Sequence, residues 1–108
     1  MVVTVSERKA RRIERLRAAS REVLDCLRDY GSRHGGRFLV FGSAARGDIH
    51  TDSDFDVVVD FPHPAERAAR TYVEEICAYH RLTPDPHLMA DISDGLKRRV
   101  IRDAIIVP

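Results

Sequence analysis

Hydrophobic positions recur every three or four residues along the first part of the chain. Ile13, Leu16, Val23, Leu24, Leu27 and Tyr30 share one stripe, which predicts an amphipathic helix over residues 6–30. Ser6 is a suitable cap, and Lys9 three positions on rules out a capping box from that residue. Gly31, Gly35 and Gly36 are expected to end the helix. The pattern then shortens. RFLVF at 37–41 reads as a buried strand, 42–47 as a turn with at most one or two helical turns, and DFDVVVD at 54–60 as a second strand. Pro62 and Pro64 break that strand, and Pro64 suits the start of a helix. Ala68, Tyr72, Val73, Ile76, Cys77 and His80 place this helix over 64–80. A shorter strand is expected within 84–90, a last helix from 93 or 94 to 103, and a closing strand at 105–107. The order α-β-β-α-β-α defines a small α/β (α+β) domain, with a mixed sheet of three to four strands flanked by helices. Neither a repeat nor a linker divides the 108 residues, so a single domain over 1–108 is expected.

Composition narrows this little. The hydrophobic fraction of 44% is that of a globular chain, and a net charge of +1 points to no partner. Distribution is more informative than the sum. Between Glu7 and Arg21 there are seven basic residues and two acidic ones; between Asp48 and Asp60 there are five acidic residues and no Lys or Arg. The basic run reads as a solvated helix face, as a surface for RNA phosphates or as a dock for an acidic partner. It contains no interleaved aromatic for base stacking. Cys26 and Cys77 stand in no metal or redox spacing and read as core thiols, as Tyr72 and Tyr79 read as helix packing. No signal peptide is visible and the apolar runs are too short to span a bilayer, so a soluble cytoplasmic protein is expected.

The acidic segment is where chemistry is legible. Gly42 permits a sharp turn after a strand, and Ser43 stands where it can cap the helix that follows. Free N–H groups at a helix start favour phosphate, and Arg46 can clamp one. Read alone, Gly-Ser is equally a loop with a capping residue. Asp54 and Asp56 lie two apart on a strand, hence on one face at about 6.5–7 Å, with Phe55 turned to the core. Such carboxylates raise each other's pKa unless a cation sits between them, and Mg²⁺ takes oxygen ligands of this kind together with substrate phosphates. An isolated pair is also compatible with a solvated edge.

The two features together resemble a known signature. Gly42-Ser43, ten residues, then Asp54-Phe55-Asp56 is similar to the G-S-x(10)-D-x-D pattern of nucleotidyltransferases with the DNA polymerase β-type fold. The wider segments Gly42-Ser43-Ala44-Ala45-Arg46-Gly47 and Ser53-Asp54-Phe55-Asp56 resemble the minimal nucleotidyltransferases. The resemblance implies an enzyme that takes a nucleoside triphosphate, ATP being the expected donor, with two Mg²⁺ ions, and transfers a nucleoside monophosphate to a hydroxyl. It implies that Gly42 and Ser43 hold the β and γ phosphates, that Asp54 and Asp56 ligate metal, and that Arg46 is a supporting phosphate contact. A third carboxylate belongs on the next strand, as metal ligand and base. In LTPDPHLMADI, Asp85, His87, Met89 and Asp91 alternate; Asp85 is the choice for the third position and His87 its rival. Pro84 and Pro86 fit poorly in an inner strand, and a histidine there would be a base near neutrality but a poor Mg²⁺ ligand.

Small members of this family are often paired with a HEPN-domain RNase toxin, and some neutralise it by adenylylating a tyrosine. The resemblance therefore implies a protein adenylyltransferase that acts as the antitoxin of such a pair, in a hetero-oligomer. A binding antitoxin that works by contact alone and a transferase acting on tRNA are the alternatives.

Overall fold

The computed structural model describes residues 4–50 and 52–107. Helix α1 (Val5–His34) is longer at both ends than its stripe predicts. Its cap is Thr4, not Ser6, and a capping box forms from Thr4: Glu7 N–H donates to the Thr4 hydroxyl at 3.1 Å while the Glu7 side chain receives the Thr4 N–H. At the far end Gly31 stays helical and buried, and the left-handed Gly35 (φ 72°) closes the helix. Strand β1 (Arg37–Phe41) follows, then a single helical turn α2 (Ser43–Arg46), and strand β2 (Phe55–Asp60). Between them Ile49 is buried and pins the intervening loop to the core, leaving Asp48 and Asp52 exposed outside regular structure. Helix α3 (Glu66–Tyr79) starts two residues after Pro64 and buries Ala69, Val73 and Cys77, so the stripe enters through Ala69 rather than Ala68. Strand β3 (Pro84–Leu88) ends in a 3₁₀ turn (Met89–Asp91), which takes Met89 and Asp91 out of the alternation expected for them. Helix α4 (Asp94–Asp103), capped by Ser93, and strand β4 (Ile105–Val107) complete the chain.

The sheet is mixed, in the order β3-β2-β1-β4. Strands β2 and β4 flank β1 antiparallel, and β3 adds parallel to β2 through the α3 crossover. Val57 and Val59 face α1 and α3, whereas Val58 joins Leu39 beneath Val100 of α4. Cover on both faces explains the uninterrupted apolar run Val57-Val58-Val59 within β2. The placement of β3 also removes the objection to its prolines, since it is an edge strand. Phe55 N–H donates to Thr83 O at 2.7 Å, so in a parallel ladder the odd positions face β2 and Pro84 and Pro86 face outward, where no donor is needed.

Among the described residues no helix is long and apolar enough to cross a membrane. Cys26 and Cys77 are free thiols on helix faces, and burial pushes Cys77 up to about 12. A disulfide-exchange reagent at about pH 8 is therefore expected to titrate Cys26 and to leave Cys77 unreacted until the protein is unfolded.

Candidate active site

The site grows out of the place where α4 stops covering the sheet. On that face the register pairs Leu39 with Val58, both buried under α4. One step of the pleat further, Phe41 pairs with Asp56, and the apolar cover gives out. At the other end of the same face Asp60 pairs with Arg37, whose Nε reaches its carboxylate at 2.8 Å. Thus the sequence Asp-Val-Val-Val-Asp places one carboxylate at each end of a covered strand, and only Asp60 receives an arginine.

What Asp56 receives instead is more acid. The parallel register sets Asp85 directly beside it, and Asp54 lies just before the first residue of β2. Asp54 is exposed and outside the strand that was expected to include it. The Asp56 carboxyl is pushed up from 3.8 to about 6, chiefly by burial, then by hydrogen bonding and charge from Asp85 and by the charge of Asp54. His87 opposes this only in part: its Nε2 lies 3.2 Å from Asp85 Oδ2, one pleat along, opposite Val58 and 6.1 Å from the Phe41 ring. The structure therefore puts Asp85 next to Asp56, and His87 behind Asp85 rather than in its place.

Gly42 and Ser43 come to the same corner because Phe41 is the last residue of β1 and the register partner of Asp56. Gly42 has φ 71° and ψ −150°, a conformation that side chains avoid, and a Cβ there would run into Asp56 Oδ2. The glycine is the cap of α2; Ser43, expected as the cap, is the first helical residue and its hydroxyl caps nothing. Arg46 is exposed, with its Nε 3.3 Å from Asp48 Oδ2. It also lines, with Gly42 and Phe41, a cavity of ≈ 100 Å³ closed by Leu96, Arg99 and Asp103 of α4. Arg99 was missed in the sequence, because nothing local says which α4 face meets the β1–α2 turn.

Among the described residues no three His, Cys, Asp or Glu side chains close into a metal cage. A hard divalent ion does not require one, being held by one or two carboxylates together with substrate phosphates and water. An all-oxygen group whose charges raise a member's pKa fits such an ion and is poorly suited to softer metals.

Residues 20–107 match the family described as nucleotidyltransferase domain. A solved structure provisionally described as a minimal nucleotidyltransferase is 30% identical, over 86% of this chain and 93% of that chain, with a TM-score of 0.61. Among curated proteins none matches the chain. The chain belongs to the nucleotidyltransferase family, whose members use a nucleoside triphosphate and a divalent metal, and it is similar to the minimal members.

Proposed function

We propose that the chain transfers AMP from ATP, with Mg²⁺, to a hydroxyl of a partner protein, and that this acceptor is the tyrosine of a HEPN-type RNase toxin, held in a heteromeric complex and silenced by the modification. The observation that carries the chemistry is the contrast between the two ends of β2. Asp60 has its arginine, whereas Asp56 meets Asp85 and Asp54 and is left with a raised pKa. Ionising such a cluster is costly, and a cation that joins it offsets the cost.

In this reading Asp54, Asp56 and Asp85 would hold two Mg²⁺ ions, which when bound would supply charge neutralisation for the phosphates in flight. The backbone at Gly42 and the Ser43 hydroxyl receive the β and γ phosphates, with Arg46 as a supporting contact. The acceptor oxygen bonds to the α-phosphorus as the bond to pyrophosphate breaks in line. The acceptor proton passes to Asp85, whose Oδ2 is 3.2 Å from His87, so His87 orients the base and can take the proton onward.

Two substitutions separate these roles. Asp85→Asn is expected to lower transfer by about 10³-fold, since ligand and base are lost together. His87→Ala is expected to cost only about tenfold in kcat, with the acceptor KM unchanged, as for an orienting group. Equal losses, or the reverse order, would show that His87 occupies the third position.

The whole reading is tested with α-labelled ATP, Mg²⁺ and the toxin co-expressed with the chain. Label on a toxin tyrosine, lost in Asp54→Ala and Asp56→Ala, is the expected result. Neutralisation that survives both substitutions would identify a contact inhibitor instead, and label on tRNA would identify a tRNA transferase.

A further inference from the structure

We propose that the end of the sheet bearing the acids also bears a docking rim, in which Arg12, Arg15, Arg81 and Tyr79 take an acidic segment of a protein acceptor. The proposal rests on the protein-acceptor reading above and names the chemistry of the acceptor's docking face.

The rim begins with α1. Its inward stripe is Leu16, Ala19, Val23 and Leu27, all buried. Followed one turn toward the N-terminus, the same stripe reaches Arg12, then Arg8 and Lys9, and every described residue before Ile13 is exposed. Thirty helical residues span about 45 Å, in a molecule 54 Å long and 28 Å across. The helix therefore overhangs the body, and its inward face turns from apolar to basic where the overhang begins.

Arg12 and Arg15 do not point into empty solvent. With Arg81, Ser53 and Thr83 they line a cavity of ≈ 110 Å³. Ser53 immediately precedes Asp54, and Thr83 O receives the Phe55 N–H at the mouth of β2, two residues before Asp85. The cavity therefore lies at the end of β2 where the acids are, on the α1 side of the sheet and one residue along the chain from Asp54. Among the described residues none of the three arginines has a carboxylate within ion-pair distance, although Arg28, Arg33, Arg37 and Arg46 each hold one.

Arg81 supplies an independent sign. It sits at φ 59° after the last turn of α3, where its N–H donates to Ala78 O at 3.1 Å and the next N–H, of Leu82, donates to Cys77 O at 2.8 Å. This is the paired closure of a helix end, in the position that glycine normally fills. An arginine tolerates that conformation only at a cost in stability, and such strain is characteristic of residues held for use. Beside it, Tyr79 is 81% exposed, against the expectation of packing. Tyr79 shares a groove with Arg15 and Arg81, and with Glu22 and His80, which pair at 3.1 Å.

Exposed arginines around an exposed tyrosine are the composition of a protein hot spot. Glu22 within the groove and Glu7 and Glu14 along the helix break the positive field that a phosphate backbone follows, and favour a protein face carrying discrete carboxylates.

Direct binding tests the rim without requiring catalysis. The probe is a fluorescein-labelled Glu-rich peptide with one central tyrosine, titrated with the full chain and followed by anisotropy. Arg12→Glu combined with Arg15→Glu is expected to weaken binding by at least about tenfold while leaving the fold intact by circular dichroism. Arg81→Gly is expected to weaken it by about fivefold and yet to raise Tm, opposite signs that a purely structural residue does not give. Failure of the peptide to bind, equal binding by the variants, or preference for a labelled oligouridylate at the same salt concentration overturns the proposal. A chain that binds the peptide at the rim but transfers no AMP keeps the dock and overturns the catalytic reading instead.

Discussion

Asp56→Asn is expected to abolish nucleotidyl transfer, by at least about 10³-fold, while making the metal-free protein more stable. The two effects have one cause. Folding raises this carboxyl from 3.8 to about 6, so the folded protein binds its proton more tightly than the unfolded chain does. Asp56's contribution to stability is therefore most favourable in acid, falls as the pH rises from about 4 to about 6, and is fully adverse above that. Since solvent reaches part of the side chain, the penalty near neutrality is about 1–2 kcal/mol rather than the larger value the unscreened shift implies. The isosteric amide removes it. Thermal unfolding is expected to show Asp56→Asn about 5 °C above the parent at about pH 7.5, and the two converging at about pH 4. Mg²⁺ with ATP is expected to raise Tm of the parent and not of the variant. A variant less stable than its parent at neutral pH would mean that Asp56 already has a compensating charge.

Gly42→Ala is expected to damage fold and site together. The left-handed φ of 71° costs an alanine about 1–2 kcal/mol. The new methyl must also displace Asp56 Oδ2, and because β1 and β2 are locked in register the carboxylate has to give way. A total of about 2–4 kcal/mol is expected by urea denaturation, with a loss of at least about 10²-fold in transfer from the misplaced carboxylate. Gly47 supplies the comparison. Its φ is 76°, but nothing lies within 4 Å of a Cβ there. Gly47→Ala is expected to carry the backbone penalty of about 1 kcal/mol and to retain transfer.

Much of the fold is written locally. The strand content of 37–41 and 105–107 and the family's glycine and aspartate spacing can be read from a few adjacent residues. What escapes is set by partners distant in sequence. Thr4 and Ser6 are both sound caps, and the position of Glu7 decides for Thr4. Gly31 looks like a stop because glycine weakens helices, yet tertiary burial keeps it helical. Tyr79 is expected to pack but faces out, because it is helical and stands about 200° around α3 from the buried Cys77. The neighbour of Asp56 is the extreme case. Asp85 and His87 share a face by alternation, so Asp85, the choice for the third position, keeps His87 as its rival in LTPDPHL. Only the parallel register, which a crossover of more than twenty residues delivers, sets Asp85 beside Asp56 and His87 beside Val58.

The two outward prolines of β3 have a consequence beyond local geometry. An exposed strand edge is a template on which another extended chain can grow, and growth requires donors at alternate positions. Pro84 and Pro86 withhold them along the outer edge of β3, on either side of Asp85. A visiting polypeptide therefore cannot zip onto this edge as an added strand and bury the acids beneath it. It has to approach by its side chains, which is the approach that presents a hydroxyl.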